Sequence, residues 1–155
     1  MKDAETVPLP SRVPASPSLT AREILAKHDR IWVAGFPAQG KTRFAHMAEG
    51  GRIVVHTDNF LGSVSLEDLP REVLLTLAKV DGYLVEGAQV PRVLRFGFKN
   101  GAFDNRRRRP PQAVVWVTYG EIEPRHVTMS KGLVTVFNSI PWPKELYIPI
   151  YRLDF

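Results

Sequence analysis

The stretch RIWVAGFPAQGKTRFAHMAEGG, residues 30 to 51, constrains the fold of this chain more than any other. Its apolar run ending at Gly35 reads as a buried strand, and the segment from Lys41 onward has helical composition closed by glycines. Between the two lie Gly35, four residues, and then Gly40-Lys41-Thr42, the G-x-x-x-x-G-K-[ST] spacing. Glycines so placed let backbone N–H groups curl around an anion, and the helix that follows points its positive end at the same spot. The residues expected to cradle a nucleotide's phosphates are Gly35, Phe36, Pro37, Ala38, Gln39, Gly40, Lys41, Thr42 and Arg43. Lys41 would reach the β- and γ-phosphates, and the Thr42 hydroxyl would ligate Mg²⁺.

The rest of the chain repeats the alternation of strand and helix. RIVVHTDNF, from Arg52, is a second apolar strand that delivers Asp58, and YLVEGAQ, from Tyr83, a third that ends in Glu86. AVVWVTYG, from Ala113, and LYIPIYRL, from Leu146, complete the strands. SLEDLPREVLLTLAKVDG, PRVLRFGFKNG and HVTMSKGLVTVFNSI read as helices, the last in spite of its β-branched residues. Thr20 and Glu23 form a capping-box pattern that starts a further short helix bearing Ile24 and Leu25. The alternation predicts an α/β fold of three α/β/α layers around a mainly parallel sheet of about five strands. The first 18 residues, rich in Pro and Ser, predict a flexible arm, which leaves residues 19–155 as one folded domain.

Ligands of an open parallel sheet sit outside the carboxyl ends of its strands. Gly35, Asp58, Glu86 and Tyr119 fall at such ends and are expected to converge. The run Arg106 to Arg109 precedes a strand instead, so it belongs at the opposite rim and is a poor catalytic candidate.

In the order AGFPAQGKTRFA, HTDNF, LVEGAQ and a late PRH, the chain resembles the small P-loop kinases, which act on nucleosides, nucleotides and polynucleotides. The resemblance spans residues from about 30 to 155 as element order, with the glycine loop as its specific motif. It implies a P-loop NTPase fold, ATP and Mg²⁺ as cofactors, and transfer of the γ-phosphate to a hydroxyl. Asp58 matches the acidic residue beside the acceptor in many such kinases; it would take the hydroxyl proton or only orient the group. Its alternative is an Asx turn with Asn59. Glu86, followed by Gly where the more usual acid is Asp, would hold Mg²⁺ through water, a pattern similar to uridine-kinase-like relatives; alternatively it caps the next helix. Arg92 and Arg95 would grip acceptor phosphate or lie on a solvated face. Arg125 resembles the lid arginines that close over ATP, although its segment is too short for a large lid. Lys131 and Arg43 are weaker electrostatic candidates.

Composition narrows the function by exclusion. Lys and Arg total 21 against 16 Asp and Glu, a net charge of +5 that favours anionic partners. The chain contains no cysteine, so disulfides, thiolate metal sites and cysteine nucleophiles are out. His28, His46, His56 and His126 show no zinc spacing, and no nucleophile-elbow or guanine-reading motif occurs. No apolar run approaches the ~20 residues of a membrane span, and no secretory leader is evident, which predicts a soluble, cytoplasmic protein without a membrane partner. The expected partners are therefore ATP and a DNA or nucleotide acceptor. The chain looks like the small phage-type P-loop kinases, one of whose activities is phosphorylation of 5-hydroxymethyluracil in DNA. A nucleoside or nucleoside-monophosphate kinase, and an ATP-binding module without phosphotransfer, remain the alternatives.

Overall fold

The computed structural model describes residues 7–37, 40–48, 51–78, 80–103 and 110–155. Ala38 and Gln39 of the glycine loop, and Arg106 to Arg109, lie outside the described residues. The chain runs α1 (Ala21–Lys27), β1 (Arg30–Gly35), α2 (Lys41–Met47), β2 (Ile53–His56), α3 (Leu69–Leu77), β3 (Tyr83–Glu86), α4 (Val90–Lys99), β4 (Ala113–Thr118), α5 (Val127–Asn138) and β5 (Ile150–Asp154). The five strands form one sheet in the order β2-β3-β1-β4-β5, every pair parallel. The central strand β1 is buried from Ile31 to Gly35, as a strand covered on both faces must be.

Alternating side chains send the sheet's two faces into two cores. Trp32, Ala34, Val85, Val114 and Trp116 face α3, α4 and α5, whereas Ile31, Val33, Leu84, Val115 and Val117 face α1 and α2. This α/β arrangement has helices on both sides of an all-parallel sheet. The wider core is aromatic, with Trp116 edge-on to Phe36 at 5.1 Å and to Phe137 at 5.2 Å. Such edge-to-face pairs add about 0.5–1.5 kcal/mol each beyond their buried area. The buried Trp32 Nε1 donates to the Tyr83 hydroxyl at 3.1 Å, so its polar atom is satisfied inside the core. The capping box on α1 is present in both directions, Thr20 to Glu23 and back.

Three expectations need correction. The described part of the arm is not loose chain: Val7 and Val13 are buried in the α3–α5 core with Leu9 packed against it. Ser11 N–H donates to Asn138 Oδ1 at 2.9 Å, the Arg12 guanidinium sits over Trp142, and Arg152 donates to the Ala15 carbonyl. Two valines placed among prolines were enough to anchor a segment whose average composition reads as unstructured. The second strand stops at His56, and Asp58 lies in a 3-10 turn, Thr57–Phe60, rather than on the strand itself. The last strand starts only at Ile150, because Pro149 has no N–H for a ladder and Tyr147 is 90% exposed. Among the described residues no helix is long and apolar enough to cross a membrane.

Candidate functional site

The carboxyl ends of β1, β2 and β3 meet at one rim, and three loops leave from it. Parallel register sets Val33 of β1 opposite Glu86, and His56 of β2 opposite Glu86 on the other side. β1 runs two residues farther, to Gly35, before its loop turns into α2. Backbone approach at that turn is close: a Cβ on Gly35 would lie 2.6 Å from the Val117 carbonyl oxygen. Gly40 caps α2 with a φ of 90°, and a Cβ there would also meet the Phe155 ring at 3.0 Å. Both end glycines of the motif are thus required by sterics, independent of any ligand.

Lys41 opens α2 and turns its side chain inward, leaving the residue 8% exposed. Its ammonium donates to the carbonyl oxygens of Gly35 at 3.2 Å and Phe36 at 2.7 Å. Burial pushes its pKa below 10.5, while the carboxylates of Glu86 and then Asp58 act in the opposite direction. Glu86 at the end of β3 and Asp58 in the turn after β2 thus offset part of the cost of burying this cation. Thr42 and Arg43, next along α2, are exposed, and the Arg43 guanidinium lies 4.8 Å from the Phe155 ring centre.

Glu86 is buried, and its Oε1 accepts from His56 Nδ1 at 2.5 Å. The sequence marks His56 only as a histidine without zinc spacing; its place two residues before Asp58, at the end of the strand beside β3, is the one signal of this pairing. Beyond Glu86 the backbone passes so near Thr57 that a Cβ on Gly87 would sit 1.9 Å from Thr57 Oγ1. Thr57 is fully buried, and its hydroxyl has no hydrogen-bond partner among the described residues. Asp58, one residue on, is exposed and open to a ligand arriving from solvent.

The remaining candidates lie on α4 and in the segment after β4. Arg92 and Arg95 are half-buried on α4, and Arg95 Nη1 donates to Ser139 Oγ at 3.2 Å. Arg125 lies on the 3-10 turn Pro124–His126 with a side chain 75% exposed, its Nε on Glu123 Oε2 at 2.6 Å. Its guanidinium is engaged locally. Tyr119 is exposed just past β4. Next to it the rim is closed by Asp154, which accepts from Thr118 at 2.5 Å and Arg152 at 2.8 Å. Burial works to raise the Asp154 pKa, but those two hydrogen bonds prevail and hold it below 3.8.

The described residues that could hold a phosphate or a metal ion here are few. Gly35, Gly40 and Lys41 make a tight turn with a cation in its floor, and Thr42 offers a hydroxyl at the mouth. Among the described residues no three His, Asp or Glu side chains converge on a point. Thr42 and Glu86 are the residues that could take part in holding a hard cation, which would need substrate phosphates and water to complete its shell. Comparison with protein-family models, curated proteins and solved structures finds no match to this chain.

Proposed function

We propose that the chain is an ATP-dependent kinase that transfers the γ-phosphate to a hydroxyl on DNA or a nucleotide. The observation that carries the reading is the buried Lys41 ammonium, folded onto the carbonyls of its own glycine loop and under the field of Glu86 and Asp58. A buried cation is costly unless it serves a partner, and a polyphosphate chain supplies the anion for it. Thr42 and Glu86 would hold Mg²⁺, Glu86 through water while His56 fixes its carboxylate; the ion supplies charge neutralisation on the phosphates. Asp58, exposed at the mouth, would orient the acceptor hydroxyl and take its proton as the new P–O bond forms. The bond from the γ-phosphorus to the leaving ADP oxygen breaks in the same displacement.

Within that class the acceptor favoured is a hydroxylated base in DNA, such as 5-hydroxymethyluracil, because a net charge of +5 suits an extended polyanion better than a small buried nucleoside. Two cavities, of about 430 and 310 Å³, open between α3 and α4, away from Lys41, Asp58 and Glu86, which line neither. The test is transfer of labelled γ-phosphate from ATP to matched DNAs bearing thymine or 5-hydroxymethyluracil, with free nucleosides and Lys41→Ala alongside. Label on the hydroxymethylated DNA alone supports the reading. Label on nucleosides moves the acceptor to small substrates, and no Lys41-dependent transfer to any acceptor sinks the kinase assignment.

A further inference from the structure

The groove between α3 and α4 belongs to no part of the phosphate site. Both helices follow the carboxyl end of a parallel strand, so they descend side by side from the rim that carries Glu86. The inward face of α4 is apolar and buried through Val90, Val93, Leu94 and Gly97. The opposite face presents Arg92, Arg95, Phe96 and Lys99 to the groove, in a cavity of about 310 Å³. Phe96 and Asn100 also line an adjoining cavity, of about 430 Å³, together with Leu74, Ala78, Phe103 and Arg71.

We propose that this groove is a track for single-stranded nucleic acid. Arg92, Arg95 and Lys99 stand at i, i+3 and i+7, a cationic edge extending about 10 Å at 1.5 Å of rise per residue. Arg71, on α3, adds a cation to the adjoining cavity, and Glu67 is the one carboxylate lining either cavity among the described residues. The charge complement is a polyanion. Phe96, half-buried between the cations, offers a ring face for a base, and the apolar lining beyond it takes base surface out of water. An acidic helix would be drawn by the same charges. Nucleic acid fits better because the cations form a line with an aromatic face set into it, and arginine forks match phosphate oxygens. A cleft between adjacent helices admits one strand with unstacked bases, not a duplex. The inference rests on the kinase reading only in making the bound strand the flank of the acceptor; strand binding itself needs no ATP.

The experiment is fluorescence anisotropy of a labelled oligothymidylate titrated with the full chain, without nucleotide, over a range of salt. Affinity is expected to fall linearly on a log–log plot, and Arg71→Ala and Lys99→Ala each to flatten the slope by about 0.7. Phe96→Leu, which keeps the site apolar, is expected to weaken binding by about fivefold or more through loss of stacking. ATP-induced thermal stabilisation should be unchanged in all three variants, which reports the kinase site separately. Groove-dependent binding in a chain that ignores ATP would support the track and sink the kinase reading. Affinity and slope unchanged by the three substitutions would overturn the track, as would the absence of any oligonucleotide binding.

Discussion

At the scale of single residues, Lys41 carries a measurable tension between folding and binding. Its folded pKa lies below the unfolded 10.5, so across the interval between the two the unfolded chain holds more protons. Stability therefore rises with pH through that alkaline window. In Lys41→Met the rise should disappear, and the ligand-free protein should melt no lower than the parent while losing its ATP-induced increase in Tm. Thermal melts at a series of pH values, with and without MgATP, read both effects; a Met variant that still responds to ATP would contradict the phosphate role. Asp58→Asn, by contrast, should preserve the ATP response and reduce transfer by about a hundredfold, the lower range of general-base effects. Normal transfer in that variant would remove Asp58 from the chemistry. That Gly35 and Gly40 flank the turn between β1 and α2 was legible in the sequence because the spacing is local; the close approach of Gly35 to Val117 was not, since it follows from the β1–β4 pairing. The pairing of His56 with Glu86 was not, since it follows from the β2–β3 register rather than from any motif.

At the scale of elements, α4 shows how a neighbour can reverse a propensity. Gly97 lies in the helix interior, where Ala would ordinarily be favoured by about 1 kcal/mol. Here a Cβ would come within 2.5 Å of Phe103 Cε2, and that ring is wedged against Trp32 at 6.0 Å and Phe98 at 5.0 Å. Gly97→Ala is thus expected to destabilise by about 1–3 kcal/mol, the range for overpacking. Chemical denaturation would measure it, and Phe103→Leu added to Gly97→Ala should cost less than the two single changes summed. Strict additivity would show that the ring and the helix do not compete for this space. The apolar face of α4 was legible from its periodicity. The reason for its glycine was not, because Phe103 arrives from the turn after the helix and no spacing rule marks it.

At the scale of the whole molecule, the N-terminal segment ties together parts of the fold that the sheet alone does not join. Its backbone meets Asn138 at the end of α5 through Ser11 and Arg152 of the edge strand β5 through Ala15, before the chain enters α1 on the other face. Composition alone made the segment dispensable; two buried valines reverse that expectation. Burying each valine contributes about 1.5–3 kcal/mol before the entropy of ordering the segment is subtracted, so the net effect of removal is smaller than the sum. Deletion of residues 1–15 should therefore lower Tm by several degrees at the about 2–4 °C per kcal/mol expected for a domain of this size. Val13→Ala should reproduce part of the loss with the chain length unchanged. Both variants should retain cooperative unfolding, since the sheet and its two cores remain. A deletion that melts with the parent would show that Val7 and Val13 stabilise the segment's position without stabilising the domain.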